Sequence, residues 1–160
     1  MKTEASHKRN RHTLSFLRAG LFFVLVIEMF GIASELYLLD HFEGGWQQLP
    51  MYVLAATLLC MLLLVTVRIR PLVWLVSLAM LCCIATGALG SYLHFQGNME
   101  FDLEFDPDLE GMELFWKAMD KNPPPLVPAA FVQLGLLGLV YTFRHPVSEK
   151  SRFQNQGESS

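Results

Sequence analysis

The sequence has few of the residues that usually carry chemistry. Its three cysteines, Cys60, Cys82 and Cys83, all fall inside apolar stretches, so no exported disulfide framework can be built from them. No Cys-x-x-Cys pair occurs, which removes the usual reactive arrangement of a thiol oxidoreductase. A Gly-rich phosphate loop, a nucleophile elbow, a zinc-protease motif and internal repeats are all missing. No catalytic residue is assigned and no cofactor is expected. Charged residues make up only 17% of the chain, low for a water-soluble domain.

Long apolar runs fill the space instead. Ala19 to Leu39, Leu49 to Val67, Leu72 to Leu93 and Leu126 to Phe143 account for about half of the 160 residues, and about 20 apolar residues in a helix cross a hydrocarbon core of ~30 Å. The fold expected is an all-α membrane protein: a four-transmembrane-helix bundle over residues 19–146, preceded by a basic arm (1–18) and followed by a disordered tail (147–160). Prolines punctuate it. Pro50, Pro71 and Pro125 stand at the openings of spans two, three and four, where a missing N–H costs nothing, and Pro146 stops the last. Only Arg68-Ile69-Arg70 separates span two from Pro71, so spans two and three must be antiparallel neighbours.

Charge orients the bundle. Ten of the twelve Lys and Arg residues lie in the N-terminal arm (Lys2, Lys8, Arg9, Arg11, Arg18), the second connection (Arg68, Arg70) and the tail (Arg144, Lys150, Arg152). Alternate threading puts these segments on one side, which the positive-inside rule makes cytoplasmic. Both termini are then cytoplasmic. The opposite side receives Asp40 to Gln48 and the outer loop 94–124, with ten acidic residues against Lys117 and Lys121. A second reading of the first span remains open: the basic arm, the apolar run Ala19 to Ile27 and the small residues Gly31 and Ala33 also suit a secretory signal peptide. Glu28 and the apolar residues continuing to Leu39 argue against it.

Within the spans, Ala79, Cys83, Gly87 and Ser91 form a ridge of small side chains suited to close helix packing in lipid, within the chain or between copies. Gly135 and Gly138 add a weaker version. Glu28 and Glu35, seven residues apart, share one face of the first helix, and ionisable groups in hydrocarbon are expensive unless they meet a partner or a wet cavity. Counting ~1.5 Å per residue sets Glu28 at a depth of ~14 Å, with Gln133 and Thr57 near ~18 Å and Thr86 near ~22 Å. Two roles follow: a proton or cation relay through Glu35, Glu28 and Gln133, or a neutral Glu28 hydrogen-bonded to Gln133 or a hydroxyl and fixing helix register.

The outer loop carries Glu100, Asp102, Glu104, Asp106, Asp108 and Glu110 at every second position, with apolar residues between them through Phe105. That is the period of a strand, which needs a pairing partner or remains irregular. Asp106 then caps an interfacial amphipathic helix from Pro107 to about Met119, with Trp116 near the headgroups. The acidic row lacks an EF-hand pattern. His41 and His94, each following a helix that ends on the outer side, are the candidate metal ligands, with a carboxylate such as Glu35 or Asp40 to complete the set.

The segments His94…Asn98-Met-Glu-Phe101, Pro123-Pro-Pro125, Gly135-Leu-Leu-Gly138-Leu139 and Tyr141-Thr-Phe-Arg-His-Pro146 resemble the terminal portion of small uncharacterised bacterial four-helix integral membrane proteins, mainly over residues 94–146. The resemblance implies a bacterial inner membrane and brings no activity with it. Three function classes are carried forward: a non-enzymatic module that contacts another membrane or extracytoplasmic protein, a proton or cation conductor using Glu28 and Glu35, and a metal-dependent membrane enzyme at His41 and His94. The partners expected are the lipid bilayer and a membrane protein or a second copy of the chain. Positive-inside anchoring already explains the basic arm, so no nucleic acid is expected.

Overall fold

In the computed structural model, residues 2–38, 47–120 and 126–147 are described, and among them every regular element is helical. There are five: α1 (Lys2–Leu38), α2 (Leu49–Val67), α3 (Arg70–Phe105), α4 (Gly111–Asp120) and α5 (Leu126–Thr142). Three are long and apolar enough to cross a membrane, the His12–Leu38 part of α1, α2 and α3, while α5 is a shorter apolar helix of 17 residues.

The turns follow from local chemistry. Pro50 and Pro71 each fall within the first two positions of α2 and α3, where their φ is already helical. Arg68 takes the left-handed conformation (φ 55°) and its N–H donates to Leu64 O at 3.2 Å. This cap lets Arg68 and Ile69 alone reverse the chain into α3.

The helices form a ring in the order α1, α2, α3, α5. The backbones of α1 and α3 do not approach each other across it, nor do those of α2 and α5. Buried positions recur at alternating steps of three and four: Leu25, Met29, Ile32 and Leu36 on α1; Leu54, Thr57, Met61 and Leu64 on α2; Val73, Val76, Met80, Cys83 and Gly87 on α3; Phe131, Leu134, Gly138 and Tyr141 on α5. This is the spacing of knobs-into-holes packing. The opposite faces are no less apolar, with Phe23, Ile27, Phe30, Trp74, Leu78 and Val140 all exposed. Such an outer surface suits lipid contact and would be a liability in water.

The tightest seam joins α3 to α5. A methyl group added at Gly135 would lie 2.5 Å from Met80 O and 2.5 Å from Ile84 Cγ1, and one at Gly87 would collide with Pro128 O. These glycines therefore set how closely the two backbones approach. Polar pins fix the register, with Ser77 Oγ donating to Thr142 Oγ1 at 3.0 Å and Thr57 Oγ1 lying 3.4 Å from Cys83 Sγ.

Two sequence expectations need correction. The alternating acidic run is not a strand: α3 continues through it to Phe105, giving 36 residues and a rod of ~54 Å. Extending an existing helix satisfies each new N–H four residues back, whereas a lone strand has no partner, so propagation wins over the period-two pattern. The following helix opens at Gly111, not at Pro107, and residues 107–108 form a turn. The basic arm, residues 2–18, forms the first turns of α1, which leaves that expectation standing. Pro125 and residues 148–160 of the tail lie outside the described residues.

Candidate functional site

Past Gly90, where a methyl group would still meet the Pro128 ring near the start of α5, α3 leaves α5 behind and α4 folds back along it. The hairpin closes through Asn98 Nδ2 donating to Ala118 O at 3.1 Å and through the rings of Phe95 and Phe115, 5.4 Å apart. Leu109, Leu114 and Ala118 are buried, and so is Asp102 on α3 at 2% exposure. Burial at Asp102, with Phe95, Asn98, Met99 and Leu103 half-buried, restores helical period to a segment whose charges alternate every second residue. Lys117 Nζ pairs with Asp106 Oδ2 at 3.4 Å across side chains 31% and 49% exposed, a surface pair worth no more than about 1 kcal/mol.

Between the two arms lies a cavity of about 340 Å³ lined by Ser91, Tyr92, His94, Phe95, Asn98, Phe115, Ala118 and Met119. The outer faces carry Phe101 and Phe105, with ring centroids 4.8 Å apart, and Met112 and Trp116, all four more than half exposed. Glu100, Glu104, Asp108, Glu110 and Glu113 stand exposed around them. The hairpin is therefore an acidic surface studded with aromatic side chains.

The other sequence-derived candidates are dispersed. Glu28 and Glu35 are half-buried on one flank of the α1 stripe. Glu28 Oε2 is buried and has no hydrogen-bond partner. Gln133 lies on an exposed face of α5, and no hydrogen bond joins it to Glu28. Thr57 is taken up by Val53 O at 2.7 Å and by Cys83, while Thr86 sits on α3, whose backbone α1 does not approach. Matching depth did not make these groups neighbours, because helix rotation decides which side faces inward. On the small-residue ridge, Cys83 and Gly87 are buried, Ala79 is half-buried and Ser91 is exposed beside the cavity. His94 also lines the cavity, whereas His41 lies outside the described residues. Among the described residues no group of three His, Cys, Asp or Glu side chains is placed to hold a metal ion.

Sequence reasoning missed the basic end of the bundle. Arg18 Nη2 donates to Arg144 O at 2.6 Å and to Phe143 O at 3.4 Å, tying α1 to the carbonyl end of α5, where cations are favoured. His145 packs on the Tyr141 ring with centroids 5.7 Å apart. Burial first, and then the charge of Arg18, holds the imidazole below its ordinary pKa. The only signal in the sequence was the basic residues' location, which gives a side of the membrane but no contact.

No protein-family model matches the chain, and no curated protein or solved structure matches it either.

Proposed function

We propose that this chain is a four-span, non-enzymatic module of a bacterial inner membrane, with both termini cytoplasmic, and that its exported α3–α4 hairpin docks another membrane or extracytoplasmic protein. The fourth crossing rests on α5, whose 17 residues reach ~26 Å and lie beside the apolar part of α3. The observation that carries the docking role is the hairpin's exposed aromatic set, Phe101 and Phe105 on the part of α3 that outruns the bundle and Trp116 on α4. Large rigid aromatics are favoured interface anchors, and an acidic rim adds selectivity for a partner of opposite charge.

A photo-crosslinking residue at Phe101 or Trp116 in intact cells should give a discrete protein adduct, while the same residue at outward-facing Leu78 should not. If all three positions give the same adducts or none, the docking role fails. Single cysteines at His12 and Met112, in a cysteine-free background, should label from opposite sides of sealed vesicles.

A second reading has one observation in its favour. The unpartnered Glu28 Oε2 suits a carboxyl that exchanges a proton or cation. Proton or cation flux into liposomes that Glu28→Gln abolishes would favour it, and no flux in the wild type would remove it.

A further inference from the structure

Two contacts that join the arms of the hairpin frame the cavity between α3 and α4. Asn98 Nδ2 donates to Ala118 O at 3.1 Å, the Phe95 and Phe115 rings lie 5.4 Å apart, and all four residues line the space. Tyr92 and Met119 extend its apolar wall and are themselves exposed, so the cavity opens at the surface. Its volume of about 340 Å³ equals about eleven water-sized groups at ~30 Å³ each, the scale of one large aromatic side chain. Phe101 lies seven residues past His94, and Phe105 seven past Asn98, so both stand on the side of α3 that carries these two lining residues. Met112 has the same relation to Met119 on α4. Exposed apolar side chains therefore continue from the cavity along each arm. Around them stand the exposed carboxylates of Glu100, Glu104, Asp108, Glu110 and Glu113, whereas Lys117 is already matched by Asp106.

Counting ~1.5 Å per residue from Arg70, at the start of α3, sets Ser91 at ~32 Å and Asn98 at ~42 Å, beyond a hydrocarbon core of ~30 Å. Exported protein reaches that level, and acyl chains do not. We propose that this cavity is the anchor pocket of the docking surface, and that it receives one large aromatic side chain, Trp or Phe, from a basic segment of the partner protein. The rings of Tyr92, Phe95 and Phe115 and the Met119 thioether suit an aromatic guest, and binding energy concentrates where such an anchor fills a pocket. Lys or Arg residues beside the anchor meet the surrounding carboxylates, which select the sign of the partner's charge. The inference rests on the docking role proposed above and names the chemistry of the partner.

Full-length protein in phosphatidylcholine nanodiscs, titrated into dye-labelled peptides and followed by fluorescence anisotropy, tests the pocket. The probes are a lysine-rich peptide with a central tryptophan, the same peptide with alanine in its place, and a glutamate-rich peptide with the tryptophan. The basic tryptophan peptide should bind at least about tenfold more tightly than the basic alanine peptide, the scale of burying one aromatic side chain, and more tightly than the acidic one. Ser91→Phe fills the cavity from an exposed position and should abolish the preference for tryptophan over alanine; His94→Phe, also at an exposed lining position, serves if Ser91→Phe does not fold. Glu100→Gln with Glu104→Gln should weaken both basic peptides alike and keep their ratio. Equal binding of the two basic peptides, or a ratio unchanged by filling, would overturn the anchor pocket. Equal binding of the acidic tryptophan peptide would overturn the basic partner. A phosphatidylcholine molecule retained by wild type in native mass spectrometry and lost in Ser91→Phe would assign the cavity to lipid instead. Discrete adducts from Phe101 and Trp116 without any preference for tryptophan would remove the pocket and leave docking in place, whereas loss of those adducts removes docking itself.

Discussion

Placing a methyl group at Gly135 tests the α3–α5 seam directly. The new Cβ would sit 2.5 Å from Met80 O and 3.1 Å from Ile84 N, both backbone atoms that no rotamer change can move. Overpacking of this kind costs about 1–3 kcal/mol, while replacing a mid-helix glycine by alanine returns about 1 kcal/mol of helix propensity. Gly135→Ala should therefore destabilise by as much as about 2 kcal/mol. Gly31 provides the control, because a Cβ there meets nothing within 4 Å, so Gly31→Ala should be neutral or stabilising. The difference between the two variants isolates the clash from propensity. Gly138→Ala should fall between them, since the three atoms nearest its new methyl all belong to the flexible Met80 side chain. Reversible unfolding in mixed micelles, followed by Trp fluorescence or circular dichroism, reads all three. Equal stability of Gly135→Ala and Gly31→Ala would refute close contact between α3 and α5.

Three further outcomes follow from the contacts above. Arg18→Gln should cost about 1 kcal/mol in the same assay, because it unties α1 from the last carbonyls of α5. His145 should make stability pH-dependent: its folded pKa lies below its unfolded value near 6.5, so the unfolded state binds more protons. Its contribution is then whole above about pH 6.5 and is lost as pH falls from there through the folded pKa, and unfolding midpoints of wild type and His145→Phe over that range should show the slope shrinking in the variant. Phe115→Ala should remove a ring pair worth about 0.5–1.5 kcal/mol and speed amide exchange across α4 and residues 95–105 while leaving α2 unchanged.

How much of this architecture the sequence shows depends on what surrounds each segment. Run lengths and the prolines at 50 and 71 place α2 and the start of α3 directly, because length and φ restriction act locally. The inward stripes of α1, α2, α3 and α5 leave almost no periodic trace, since Phe30 facing out is as apolar as Met29 facing in. A lipid-facing helix erases the amphipathic signal that water imposes. Only α4, lying beyond the spans, keeps a polar face and reads plainly as amphipathic. Alternation in Glu100-Phe101-Asp102-Leu103-Glu104-Phe105 misleads because the period of its charges is not the period of its backbone, and prolonging a helix already formed satisfies that backbone. The Arg18 clamp and the Asn98–Ala118 hydrogen bond join residues 126 and 20 positions apart, and no local pattern announces such pairs.

The two longest helices overrun the bundle at opposite ends, and this offset separates two kinds of surface. At the Arg18 level α1 meets the end of α5 and projects away on the basic side, whereas α3 leaves the bundle near Gly90 and projects on the acidic side. Between them, the α3–α5 seam is closed by glycines and offers no room for a ligand. Groups able to engage something outside the chain therefore collect at the acidic overhang, as aromatic rings within an acidic rim on the hairpin. A solute-conducting role would require the opposite distribution, with polar groups continuous through the middle, and there Glu28 has no partner and Thr57 is already engaged with Val53 and Cys83. The placement of exposed aromatic and acidic groups beyond the bundle is thus the physical reason to weigh docking above transport.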